Sequence, residues 1–179
     1  MKASRLRGIA VVSIAEATKE GTVRDLVLDP NRRRVVALSI RPTGGGADKV
    51  VSVKNIHSIG RDAVTITDAE VLRGEHPVRG DGEIYLTKLK GTKALTDKGE
   101  IIGTVAEVEV DPDNFSIIGY QLSTGFMSEL TGNRKSLPAD ERVRYGRDAL
   151  MVQETGPTVR GKESRAESRA EEKTHSPHH

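Results

Sequence analysis

Short runs of alternating apolar and polar residues make up most of this chain, separated by Gly, Pro and Asp. Residues 34–41 are predicted to form a β-strand with Val36, Leu38 and Ile40 on one face and Val35, Ala37 and Ser39 on the other. Residues 116–123 repeat the phase with Ile118, Tyr120 and Leu122. The pattern predicts strands at about 8–14, 22–28, 34–41, 49–53 and 63–67, a short turn or helical segment at 54–59, and strands at about 92–95, 101–110, 116–123, 135–137 and 149–153. Closely spaced strands without a long helix indicate an all-β fold, a small barrel or curled sheet.

The strand pattern occurs twice because the chain is a tandem duplication. Gly60-Arg61-Asp62-Ala63 recurs as Gly146-Arg147-Asp148-Ala149, each time before an apolar strand, at an offset of 86 positions. Three earlier pairs of segments match at offsets of 83, 82 and 82: Leu6-Arg7-Gly8 with Leu89-Lys90-Gly91, Gly21-Thr22-Val23 with Gly103-Thr104-Val105, and Asp29-Pro30 with Asp111-Pro112. One small insertion accounts for the change of offset. A unit of this length is a small domain rather than a solenoid repeat.

The duplication predicts two small barrels, one in residues 1–70 and one in residues 84–155. Residues 71–83 mix charges with Gly and Pro and are predicted to form a linker. Residues 156–179 contain almost no apolar side chains, so we expect a disordered polar tail that is dispensable for folding.

Composition narrows the classes of function. The chain has 179 residues, a net charge of +2 and 30% charged residues, which describes a solvated surface and makes nucleic-acid binding a weak expectation. It has no cysteine, so disulfides, thiolate metal sites and a cysteine nucleophile are excluded.

The N-terminal residues resemble a signal peptide, since basic residues precede the apolar run 8–15. The duplication favours a first strand instead, because Leu6-Arg7-Gly8 matches the segment at the head of the second unit. We therefore expect a cytoplasmic protein. No apolar run approaches the roughly 18–20 residues that a membrane helix needs.

The unit resembles the PRC-barrel domain. The resemblance lies in the leading Gly8 and Gly91, the Gly-x-Val segments at 21–23 and 103–105, the Asp-Pro turns, and the closing Gly-Arg-Asp-Ala. It covers about residues 5–67 and 88–153. It implies two compact all-β barrels used for protein contacts, without catalytic residues, as in tandem-barrel bacterial proteins of undefined role. The family includes the cytoplasmic domain of the photosynthetic reaction-centre H subunit and the C-terminal domain of a ribosome-maturation factor.

No residue emerges as catalytic, cofactor-binding or metal-binding. Acids cluster around the second strand and its turn in both units, where solvated turn roles are expected: Asp25, Asp29, Glu107, Glu109, Asp111 and Asp113. The segment 111–114 lacks the glycine and distal Glu of a calcium loop. His57 and His76 are isolated, and residues 44–46 are more simply a mobile glycine loop than a phosphate cradle. The run 32–34 of three arginines lacks interleaved aromatics, so a solvated hairpin end is favoured over a phosphate contact.

The repeated tetrapeptides are predicted to determine the fold. Asp62 and Asp148 precede the last strand of each unit, where an Asp can accept hydrogen bonds from backbone N–H groups and a neighbouring Arg can brace it. The residues concerned are Gly60, Arg61, Asp62, Gly146, Arg147 and Asp148.

The candidate partner surface lies where the two units differ in length. Between its third and fourth strands the second unit has residues 124–134, whereas the first has the glycine-rich 42–48. Phe126, Met127 and Leu130 fall at spacings that place them on one side of a helical turn. They form either a lid on the barrel or a surface for a partner.

The leading hypothesis is a non-enzymatic adaptor for protein partners, without cofactors. The alternatives are an RNA-processing or ribosome-associated factor, and a scaffold in peripheral contact with a membrane, like the H-subunit domain.

Overall fold

The computed structural model describes residues 1–74, 82–125 and 134–154. We call 1–74 the first half and 82–154 the second half. The predicted tail, His76, and the candidate partner residues Phe126, Met127 and Leu130 lie outside the described residues. Within the described part, the all-β fold class is confirmed: strands form two sheets, and the one α-helix is a single short turn.

The strands of the first sheet are β1 (Ala10–Ser13), β2 (Thr18–Asp29), β3 (Arg34–Pro42), β4 (Lys49–Ser52), β5 (Ile56–Ile59), β6 (Ala63–Ile66), β7 (Arg73–Gly74) and β8 (Ile84–Tyr85). Their order is β5-β6-β1-β2-β3-β4-β7, and β8 pairs with β2. Short 3-10 turns lie at Ala3–Leu6, Val53–Asn55 and Ala69–Val71. Segment 54–59 thus contains part of a 3-10 turn, as expected, and an additional strand, β5.

In the second sheet, helix α1 (Leu86–Leu89) precedes strands β9 (Lys93–Thr96), β10 (Ile101–Val110), β11 (Ile117–Ser123), β12 (Lys135–Pro138), β13 (Val143–Tyr145) and β14 (Ala149–Val152). The strand order is β12-β11-β10-β9-β14-β13. Six strands of the first sheet match the six strands of the second in order, with β1 parallel to β6 as β9 is parallel to β14, whereas β7 and β8 have no matching strand.

A β-bulge in each half removes one residue from the face that the sequence predicts. Leu38, Ile40, Tyr120 and Leu122 are buried, but Val36 is half-buried and Ile118 is 52% exposed. In both halves the register skips one residue, so that Val35 pairs with Leu28 and Ile117 pairs with Val110. The extra residue is Val36 in β3 and Ile118 in β11. The bulge reverses the alternation, which places Val35 and Ile117 in the core.

The two halves meet at a symmetric strand contact. The Val35 N–H donates to the Phe115 carbonyl at 2.7 Å, and the Ile117 N–H donates to the Arg33 carbonyl at 2.8 Å. The two donors, Val35 and Ile117, lie 82 positions apart, and so do the two acceptors, Arg33 and Phe115. A pseudo-twofold axis therefore passes between Arg34 and Ser116, which form a β-bridge. Arg33 and Phe115, at equivalent positions, both have positive φ, of 57° and 62°. This uncommon backbone conformation is kept at both sides of the contact.

The halves also exchange their leading segments. Ile84–Tyr85 pairs with Val27 and Leu28 of β2, although the sequence analysis assigns it to the second barrel. At the equivalent place, Met1 pairs with Val110, with the Val110 N–H donating to the Met1 carbonyl at 2.8 Å, and Lys2 forms a bridge with Glu109. Each sheet is therefore extended by residues of the other half.

One continuous hydrophobic core joins the halves. The larger cluster of buried residues contains side chains from both, among them Leu6, Leu28, Ile84, Val110 and Leu150. A small separate cluster lies around Val27, Ala37 and Val50, with Tyr85 packed against it. The strand exchange and the common core make the two halves a single body.

Candidate functional site

A cavity of about 660 Å³ lies beside the sheet of the described second half. Its lining comes from the segment after helix α1, the middle of β10, the end of β11 and the residue before β12. It is lined by Lys90, Gly91, Thr104, Val105, Ala106, Ser123, Gly125 and Arg134. We call it the basic groove.

The charge of the basic groove is positive. Lys90 and Arg134 are its ionisable residues, and neither takes part in an ion pair among the described residues. Arg134 is exposed and Lys90 is half-buried. The floor is less polar, since Val105 is buried and Ala106 is half-buried. This arrangement can hold an anionic group beside a small apolar patch.

The equivalent place in the first half carries an ion pair. Arg24 corresponds to Ala106 and Asp48 corresponds to Arg134, as the offsets of 82 and 86 positions show. The registers of the β3–β4 and β11–β12 pairs give the same correspondence. The Arg24 guanidinium lies 2.6 Å from the Asp48 carboxylate. Arg7, the counterpart of Lys90, donates from Nε to the Arg24 carbonyl at 3.0 Å.

The basic groove is adjacent in sequence to the predicted partner residues. Residues 126–133, which include Phe126, Met127 and Leu130, connect two residues that line it, Gly125 and Arg134. The role of these three residues stays a prediction. The sequence analysis did not identify the groove itself, although the signal was present. Aligning the two units shows that Arg24 of the first unit corresponds to Ala106 of the second, and that Asp48 corresponds to Arg134.

The acids singled out in the sequence have structural partners. Asp25 accepts hydrogen bonds from the Thr87 hydroxyl and from the Leu26 N–H at 2.8 Å. Glu107, at the equivalent position, accepts from the Ser4 hydroxyl and from the Val108 N–H at 3.1 Å. Both acids therefore bind a hydroxyl of the other half.

The remaining acids stabilise strands and turns. Glu109 accepts from the Gln121 amide at 2.7 Å and lies 3.5 Å from the N-terminal ammonium. Asp29 accepts from the Arg32 N–H at 3.1 Å, and Asp111 accepts from the Asp113 N–H at 2.8 Å. The predicted turn roles thus apply to Asp29 and Asp111.

The repeated tetrapeptides form matching turns. The Gly60 N–H donates to the Ala63 carbonyl at 2.9 Å, and the Gly146 N–H donates to the Ala149 carbonyl at the same distance. The Arg61 guanidinium binds the Asp62 carboxylate, but both side chains are exposed. Among the hydrogen bonds of the described residues, Asp62 and Asp148 accept none from backbone N–H groups. Their importance for stability stays a prediction, as does that of Arg147.

The three arginines at 32–34 serve different contacts. Arg32 lies 3.7 Å from Asp29, and Arg33 lies 4.0 Å from Glu141 of the second half. Arg34 is at the pseudo-twofold contact. Arg32 and Arg34 line a smaller cavity of about 240 Å³ that is also lined by Asp29 and Glu83, so its charge is mixed.

Hydrogen bonding, burial and charge shift the pKa of several side chains. The Arg142 side chain donates hydrogen bonds to Asp140 and lowers the pKa of that carboxyl. Burial raises the pKa of Tyr120 and, together with the negative charge of Asp148, that of Tyr145.

Within residues 1–74, 82–125 and 134–154, no group of three or more His, Asp or Glu is placed to bind a metal ion. In the same ranges, no helix is long and apolar enough to cross a membrane.

Comparison with known proteins assigns the family. A search of curated proteins found no match. The family model of the PRC-barrel domain matches the chain twice, over residues 1–73 and 81–157. These two segments contain the two sheets and their matching turns. The protein therefore belongs to the PRC-barrel domain family and carries two copies of the domain in tandem.

Proposed function

We propose that the protein is a non-enzymatic adaptor in which two joined PRC-barrels present a binding surface to a protein partner. The observation that carries this proposal is where the two copies agree and where they differ. They agree at the pseudo-twofold contact, which holds the halves together. They differ at one end of the second barrel, where Ala106 and Arg134 open the basic groove and the chain has additional residues.

The use of the acids supports a role without catalysis. General acid–base chemistry needs a pair of groups that reach a substrate and lie in unlike environments. Asp25 and Glu107 instead bind Thr87 and Ser4 across the contact between the halves. Asp29 and Asp111 bind backbone N–H groups of their own turns.

Phe126, Met127 and Leu130 are part of the proposed partner surface. They lie in the segment that joins two residues of the basic groove, so a partner in contact with both would meet apolar and basic side chains. Such a combination suits a protein interface, in which large apolar side chains contribute most of the affinity and charges at the edge add specificity. The proposed location is the cytoplasm, which suits a chain without cysteine. The proposed function needs no cofactor.

Affinity purification from a cytoplasmic extract tests this function. The full chain is used as bait, with and without nuclease. The tag is placed at the C-terminus, unless the Met1 contact is shown to tolerate a tag at the N-terminus. We expect a defined protein to remain bound after nuclease treatment and to form a stoichiometric complex when both components are purified. The same bait is mixed with liposomes in a flotation assay.

Each alternative has its own outcome. Loss of all captured protein on nuclease treatment would contradict the adaptor function and favour an RNA- or ribosome-associated factor. Flotation of the purified chain with liposomes, without a protein partner, would favour the membrane-peripheral scaffold. Turnover of a substrate by the purified chain would contradict the non-enzymatic assignment.

A further inference from the structure

We infer that the basic groove binds an acidic segment of the protein partner, with carboxylate side chains against Lys90 and Arg134. This inference rests on the proposed function and names the chemistry of the partner. It starts from the comparison of the two halves, which share one fold and one register but differ in how this place is filled.

Two replacements act in the same direction at the basic groove. In the first half Arg24 stands at the position of Ala106, and its guanidinium pairs with the Asp48 carboxylate at 2.6 Å. In the second half Ala106 removes the long side chain, which leaves room, and Arg134 puts a cation where the first half has an acid. Either replacement alone would leave a small neutral site or an unpaired surface charge. Together they leave a cavity with two cations and no acid among its lining residues.

The size and lining favour acidic side chains on a peptide. A volume of about 660 Å³ fits a few side chains of a bound segment. A carboxylate can pair with Arg134 through two parallel hydrogen bonds, and Lys90 is a second cation in the lining. The small Ala106 lets the peptide backbone approach the floor of the groove.

Nucleic acid and the chain's own C-terminal residues fit less well. The lining residues include no aromatic side chain on which a base could stack, and two cations neutralise few phosphates. Residues 155–179 contain more basic than acidic residues, so they offer the basic groove little electrostatic attraction. The occupant is therefore an acidic segment of another protein.

A titration with hexaglutamate tests the inference directly. The full chain is labelled with ¹⁵N, and chemical shifts are followed at low salt during addition of hexaglutamate. We expect the amide signals of Lys90, Thr104, Ala106 and Arg134 to move. The affinity should fall as salt is added, since exposed charge pairs are screened. Hexaglutamine, inorganic phosphate and a short single-stranded RNA are titrated in parallel.

The two halves supply matched variants. The double variant Ala106→Arg/Arg134→Asp reproduces the ion pair of the first half, and Arg134→Gln and Lys90→Gln remove one cation each. Arg7→Gln is the control, because Arg7 is the counterpart of Lys90 outside the groove. We expect hexaglutamate to bind the double variant about tenfold more weakly and the control unchanged. The single variants keep the test valid if the double variant does not fold.

The outcomes are decisive in both directions. Shifts confined to the basic groove and weakened by Arg134→Gln, but not by Arg7→Gln, support the inference. Equal binding by all variants, or binding of phosphate or RNA there in preference to hexaglutamate, would overturn it. A partner captured from extract by a chain that does not bind hexaglutamate would leave the adaptor function intact and refute only the acidic chemistry.

Discussion

Truncation of Glu107 is the sharpest test of the contact between the halves. Its side chain is buried, with 4% exposure, and accepts hydrogen bonds from the hydroxyl and the N–H of Ser4 and from the N–H of Val108. Glu107→Ala removes all of these acceptors at once. The Ser4 groups belong to the first half, so the variant also releases the 3-10 turn at Ala3–Leu6 from β10.

The expected loss follows from the donors that would be left without partners. A buried donor without a partner costs about 1–3 kcal/mol; the Val108 N–H is buried, and the two Ser4 donors are part-buried. We therefore expect Glu107→Ala to lower the free energy of unfolding by about 3 kcal/mol. For a chain of this size that corresponds to a fall in Tm of about 6–12 °C.

The counterpart in the first half is a matched control. Asp25 is half-buried and binds Thr87, which is exposed, so water can replace the lost bonds. Asp25→Ala should cost about 1 kcal/mol. Urea unfolding followed by far-UV circular dichroism measures both variants, because the chain has no Trp. A loss below 1 kcal/mol for Glu107→Ala, or an equal loss for Asp25→Ala, would refute the assignment of Glu107 as the stronger contact.

Three further predictions concern backbone packing, pH and the separability of the halves. Gly21→Ala should lower the free energy of unfolding by about 2 kcal/mol, because its Cβ would lie 2.2 Å from the Arg41 carbonyl oxygen. Gly44→Ala is the control in the same thermal melts and should be neutral, since its Cβ would have no atom within 4 Å. Burial raises the pKa of Tyr120 above its ordinary value of 10.0, so the folded state keeps this proton at a pH where the unfolded chain loses it. The free energy of unfolding should therefore decline as pH rises above about 10, and Tyr120→Phe should flatten that decline in melts from pH 9 to 11. Residues 1–73 expressed alone should self-associate or remain unfolded in sedimentation velocity and circular dichroism, because the contact at Val35 and the edge of β2 lose their partners; a stable folded monomer would contradict the joined-body description.

Sequence reasoning succeeded where the determinants are local and repeated. The alternation in 34–41 predicted a strand, and the duplication predicted that residues 116–123 would form its counterpart. It was wrong at Val36 and Ile118, because a bulge is produced by pairing with a neighbouring strand and leaves no mark on the period of one strand. The strands β5, β7, β8 and β13 were missed for a related reason: they are two to four residues long and exist only as additions to an edge.

The sequence by itself determined the all-β class, the duplication and the family, since hydrophobic period, turn residues and matching offsets are properties of the linear chain. The tertiary structure alone decided how the copies are joined, because the exchange of Met1 and of Ile84–Tyr85 depends on which backbone edges come together in space. It also decided that Arg24 and Asp48 form one pair whose counterparts, Ala106 and Arg134, open a groove. These residues are far apart along the chain, and only the packing of β10 beside β11 and β12 makes their charges and sizes act at one place.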